Sequence, residues 1–85
     1  MLTVVYFSTT WCGPCKAFFP IVDNVTKTLK VPLTKFDAEA NEDLAKRYSI
    51  VGVPTVLIIK EGAIAYRRTG VMPESELVKA IQAWK

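Results

Sequence analysis

The chain has two cysteines, Cys12 and Cys15, and no histidine. Two residues separate them, Gly13 and Pro14, and Trp11 stands just before. A thiolate attacks a disulfide where a thiol does not, so the question is what could ionise one of these sulfurs. An apolar run, Leu2 to Phe7, precedes the pair and a helical pattern follows it. This reads as strand, turn and a helix opening on the first cysteine, with Pro14 suited to the first helical turn. At a helix N-terminus the free backbone N–H groups and the macrodipole favour a negative sulfur. Cys12 is therefore the expected nucleophile. Cys15, one turn on, is placed to resolve a mixed disulfide and close a ring with Cys12. Gly13 and Pro14 keep the turn tight, and Trp11 is expected to cover one side of the pair.

Other uses of two cysteines fit less well. A disulfide closing so short a loop removes little chain entropy and would stabilise poorly. Two thiolates without histidine cannot fill a tetrahedral metal site with the usual soft ligands, so no metal and no cofactor is expected.

The elements that must hold the pair follow in order. Leu2 to Phe7 is β-rich and nearly all apolar, as a central strand covered on both faces requires. The first helix is expected from about Pro14 to Leu29, with Phe18, Val22, Val25 and Leu29 on its buried face and a kink at Pro20. Val31 to Asp37 reads as a second strand after a turn at Pro32, and strand–helix–strand implies a right-handed parallel unit. Asn41 is the expected cap of a helix over Glu42 to Tyr48, with Leu44, Ala45 and Tyr48 inward. Pro54 to Lys60 and Ala63 to Thr69 form an antiparallel hairpin about Glu61-Gly62. Pro73 opens a last helix whose stripe is Leu77, Ile81 and Trp84, the last as a core anchor. The order is βαβαββα: an α/β chain with a four-stranded mixed sheet flanked by three helices.

Eighty-five residues, 51% of them hydrophobic, suit one small domain, residues 1–85, and argue against disorder. No apolar stretch is long enough to span a bilayer, and Leu2 to Phe7 is too short for a signal segment, so no membrane partner is expected and the reducing cytoplasm is the default compartment. The +3 net charge is scattered, with no basic run longer than two, which argues against nucleic-acid binding. A monomer is expected.

Trp11-Cys12-Gly13-Pro14-Cys15-Lys16 is similar to the active-site signature of the thioredoxin family, matched without a departure, and the resemblance extends over the whole chain. Relative to a typical member, an N-terminal strand and helix are missing. The resemblance implies a thiol–disulfide oxidoreductase that reduces protein disulfides through Cys12 and Cys15 and is recharged by a thioredoxin reductase or similar electron donor. Ile50 to Thr55 resembles the family loop that carries a cis-proline, here Pro54, although only about one X–Pro bond in twenty is cis. That loop implies that the Val53 N–H and C=O pair with an extended substrate. Gly70 and Val71 match the glycine loop flanking the same groove, so Trp11, Gly52, Val53, Pro54, Gly70 and Val71 are expected to rim it.

One position departs from the family. The buried Asp six residues before the first cysteine is Tyr6 here, while the matching lysine is kept as Lys35. An unpaired buried ammonium is costly, so Lys35 is expected to reach solvent or another acceptor, and water near the Tyr6 hydroxyl to serve Cys15. Two rival readings remain. A glutathione-dependent, glutaredoxin-like enzyme would suit the short length, but the spacer differs and Arg68-Thr69-Gly70-Val71 holds one glycine, not the expected pair. A non-catalytic binding subunit would use the same apolar rim.

Overall fold

The computed structural model describes residues 1–85. Seven elements follow in the expected order: β1 Leu2–Ser8, α1 Gly13–Thr28, β2 Leu33–Asp37, α2 Glu42–Arg47, β3 Thr55–Lys60, β4 Ala63–Thr69 and α3 Glu74–Trp84. They build a four-stranded mixed sheet in the order β2-β1-β3-β4. β1 runs parallel to β2 and antiparallel to β3, and β3 pairs antiparallel with β4.

β1 is interior, and Val4 to Ser8 are all buried. Alternate residues serve opposite layers, as a strand's period of two requires. Val4 and Tyr6 join Val56 and Ile58 on one face, packed against Phe18, Val22 and Val25 of α1 and Leu77 and Ile81 of α3. Val5, Phe7 and Leu57 face the other way, toward Leu44 and Ala45 of α2 and the neighbouring Tyr48 and Phe36.

Local hydrogen bonds stop each helix. After α1, Lys30 takes φ +58, the Val31 N–H reaches Thr26 O at 2.9 Å and the Lys30 N–H reaches Lys27 O. This is a left-handed helix stop built without glycine. Ser49 ends α2 in the same way, with the Ile50 N–H on Ala45 O. In the β3–β4 hairpin, Glu61 and Gly62 both have positive φ, which a two-residue loop of this twist demands.

Several sequence expectations are corrected. Trp84 is no core anchor: it is the last residue of α3 and is 39% exposed, because the buried stripe of the helix stops at Ile81. Asn41 stands at the N-cap of α2 but its side chain does not cap the helix; it donates to Asp37 O instead. α2 ends at Arg47, one residue short of Tyr48, because Ser49 turns the chain. β2 starts at Leu33, not Val31, since Val31 closes the helix stop and Pro32 has no N–H for a ladder. Pro54 precedes β3, and Pro73 is the N-cap of α3 rather than its first residue. α1 passes Pro20 as one continuous helix; its ring lies on the exposed side.

Candidate active site

β1 ends at Ser8, and Thr9 to Trp11 carry the chain from the end of that strand toward α1. Cys12 is the N-cap of α1, in extended conformation, with Pro14 in the first turn. Its Sγ accepts a hydrogen bond from the Cys15 N–H at 3.1 Å. A sulfur in this position meets the unsatisfied N–H groups and positive end of the helix, and the first turn holds no acidic side chain to oppose a negative charge there. Cys12 and Cys15 are joined as a disulfide, with Cα atoms 5.3 Å apart. Both are almost fully buried, at 5% and 2% exposure.

The two sulfurs face different surroundings. Cys12 opens on a cavity of about 660 Å³ lined by Trp11, Gly13, Pro14, Ala38, Glu39, Ile50, Gly52 and Val53, with Glu42, Ala45 and Lys46 of α2 on its far side. Cys15 borders a second, polar cleft of about 480 Å³ with Ser8, Thr9, Thr10, Lys16, Lys35 and Asp37.

The loop opposite the cysteines is held from three sides. The Thr55 hydroxyl donates to Gly52 O at 2.6 Å and lies 3.2 Å from the Thr69 hydroxyl. The Gly70 N–H donates to Pro54 O at 2.8 Å. The Val53–Pro54 peptide bond is cis, as the family loop implied. Neither the N–H nor the C=O of Val53 bonds within the protein, so both are available at the groove. Gly52 admits little else: a Cβ there would sit 3.2 Å from Thr69 Cγ2.

Of the expected rim, the structure gathers Trp11, Gly52 and Val53 around Cys12, together with Gly13 and Pro14. Pro54 is buried and, like Gly70 and Val71, is not part of that lining; Val71 is half-exposed. Trp11 is 69% exposed, its indole N–H donating to Glu39 Oε1 at 2.6 Å. Glu39 was not singled out in the sequence; twenty-eight residues separate it from Trp11, and no local pattern links them. Ala38 and Asp37 likewise join the site with no local pattern linking them to the cysteines, whereas Ile50 opens the loop already marked by the family resemblance and Thr9 lies three residues before Cys12.

Tyr6 is fully buried beneath the pair and its hydroxyl donates to Cys15 O at 2.8 Å. Burial pushes its phenol up from 10.0 to about 12, so it stays protonated at neutral pH. Lys35, its register partner on β2, reaches the surface and lays its ammonium over the Phe19 ring, 4.4 Å from the centroid. The expectation that Lys35 finds solvent is met, and the ring supplies a cation–π contact.

The thioredoxin family model matches residues 1–83. The chain belongs to the thioredoxin family. It is 31% identical over 81 residues to thioredoxin of Rhodospirillum rubrum, covering 93% of this chain and 78% of that protein. It is 38% identical to the chloroplastic thioredoxin Y2 of Arabidopsis thaliana, again over 93% of this chain but only 48% of that one. The chain thus spans about half the length of the chloroplastic relatives it matches. Among solved structures, thioredoxin of Fasciola hepatica superposes with a TM-score of 0.91 at 36% identity, covering 99% of this chain and 81% of that one. A thioredoxin mutant from Halobacterium salinarum gives 0.93 at 28% identity, over 98% and 74%. These likenesses fit the four-stranded mixed sheet and three helices of the thioredoxin fold. No helix is long and apolar enough to cross a membrane.

Proposed function

We propose that the chain is a protein-disulfide reductase in which Cys12 is the nucleophile and Cys15 the resolving cysteine. The observation that carries this reading is the position of Cys12: at the N-cap of α1, its sulfur on a backbone N–H and open to the groove, with Cys15 one turn away. In the reduced protein the Cys12 thiolate attacks one sulfur of a substrate disulfide and expels the other as a thiolate. Cys15 then attacks Cys12 Sγ, the bond to the substrate breaks, and the ring closes. Two electrons pass to the substrate, and a separate thioredoxin reductase or similar dithiol donor returns them.

Substrates are extended segments around a protein disulfide. The free N–H and C=O of Val53 pair with the substrate main chain, and Trp11, Gly52, Val53 and the groove beyond them receive its apolar side chains. Gly70 and Val71 flank the approach, and Pro54 fixes the loop from below. Main-chain recognition makes few side-chain demands, so the substrate range is broad. We assign residues 1–85 to one working unit, a monomer acting in the reducing cytoplasm.

The test is turnover of a protein disulfide such as insulin's, with electrons supplied in parallel by a thioredoxin reductase or by glutathione. Turnover with the reductase is expected and with glutathione is not; the reverse would favour the glutaredoxin-like reading. Cys12→Ser should abolish turnover, and Cys15→Ser should accumulate a covalent substrate adduct on Cys12, read by mass spectrometry. A double Cys→Ser protein that keeps full biological activity would overturn the reading in favour of a non-catalytic subunit.

A further inference from the structure

The reductase reading leaves one proton without a destination. Before Cys15 can attack, its thiol must lose a proton, and Cys15 is 2% exposed. Tyr6 is no acceptor for it: its hydroxyl donates to Cys15 O and holds its proton well past neutrality. The opening on Cys15 is the polar cleft of Ser8, Thr9, Thr10, Lys16, Lys35 and Asp37.

Four features of this cleft bear on proton transfer. First, Asp37 is the one carboxylate in its lining. Second, the parallel register sets Asp37 beside Ser8 and Lys35 beside Tyr6, so these four share the face that looks toward α1. Third, Asp37 is held: Oδ1 accepts the N–H groups of Glu39 at 2.8 Å and Ala40 at 3.2 Å, while no ion pair or hydrogen bond engages Oδ2. Fourth, the Thr9 hydroxyl is buried at 7% exposure and has no partner in the protein. A hydroxyl left without a partner calls for water, and the polar cleft that Thr9 borders has a volume of about 480 Å³.

We propose that Asp37 accepts the Cys15 proton through water held in this cleft by the Thr9 hydroxyl. The inference rests on the reductase reading and assigns its missing base. The other charged groups facing the cleft are Lys16 of α1 and Lys35 of β2, and an ammonium has no lone pair with which to accept a proton. Their charge instead favours the Cys15 thiolate once formed. Glu39 is turned the other way, on Trp11 and the Cys12 groove. In the step itself, the Cys15 S–H bond breaks, its proton passes through water to Asp37, and the thiolate attacks Cys12 Sγ. The bond from Cys12 to the substrate sulfur breaks and its electron pair leaves with the substrate thiolate. Asp37 returns the proton to solvent.

The test follows the reduced protein as it reacts with dithiobis(nitrobenzoate), which releases one coloured thiolate on attack by Cys12 and a second when Cys15 closes the ring. Asp37→Asn keeps an oxygen for the two loop N–H groups and removes the base. It should leave the first release unchanged and slow the second at least about tenfold, less than the roughly hundredfold or more of a fully lost acid–base group because water competes as acceptor. It should also flatten the dependence of the second release on acid pH. Thr9→Val should slow the second release too, with Asp37 intact, and serves if Asp37→Asn does not fold. An unchanged second release and pH profile in Asp37→Asn, or equal slowing of both releases, would overturn the assignment. Failure of the unsubstituted protein to give either release would instead overturn the reductase reading.

Discussion

The hydroxyl of Tyr6 donates to the carbonyl oxygen of Cys15 across 2.8 Å, tying the central strand to the first turn of the helix that carries the redox pair. Tyr6 fills the place beneath the cysteines with an aromatic ring, against Phe18 and Phe19 at centroid distances of 6.0 and 5.5 Å. It is a structural prop where the family has an ionisable acid.

Tyr6→Phe removes that bond and keeps the ring. Loss of one buried hydrogen bond should cost about 1 kcal/mol at neutral pH, read by denaturant unfolding. The pH dependence has a definite sign. The folded phenol ionises near 12 and the unfolded one near 10.0, so the folded state holds the proton more tightly. This contribution is fully present below the unfolded value and is lost as pH rises through the folded one. The unsubstituted protein should therefore lose about 2 kcal/mol more than Tyr6→Phe between those two pH values.

Glu39→Ala frees the Trp11 indole from its one hydrogen-bond partner. Trp11 is already exposed and its bond to Glu39 lies at the surface, so global stability should change by under about 0.5 kcal/mol. The Trp11 side chain should gain motion, visible as lower fluorescence anisotropy in a Trp84→Phe background. KM for protein disulfides should rise more than kcat falls.

Gly52→Ala sets a methyl group 3.2 Å from Thr69 Cγ2, whose hydroxyl is engaged with Thr55. Thr69 can give only by disturbing that contact. The expected loss is about 1 kcal/mol, at the low end of overpacking costs, measured by thermal or denaturant unfolding.

Leu77 and Trp84 lie on one stripe of α3 yet should behave differently. Leu77 is fully buried, and Leu77→Ala should cost about 2–5 kcal/mol through the cavity it leaves. Trp84→Ala, on an exposed last turn, should cost well under half as much. Equal losses would contradict the placement of α3.

Much of the architecture was legible because it repeats at short range. The unbroken apolar run Leu2 to Phe7 announced an interior strand, and β1 is buried on both faces. Phe18, Val22 and Val25 keep helical spacing and all three are core. The Trp11-to-Lys16 signature located the redox turn, since cap, proline and both sulfurs lie within one turn of helix. Trp84 failed because periodicity reports a helix face without saying how far along the helix that face stays covered. Asn41 failed because Asp37 O competes for its side chain across four residues.

The amino-acid order by itself determined the identity of the two sulfurs, the element sequence and the helix end that favours a thiolate, because each depends on neighbours within a few positions. Only the tertiary structure decided what each sulfur faces. Cys12 meets an apolar groove built with Glu39 and Val53, and Cys15 meets a polar cleft built with Thr9 and Asp37. Those surroundings come from strands and loops brought together by sheet register, and hydrophobic burial, which sets that register, carries no record in the spacing of the residues it makes into neighbours.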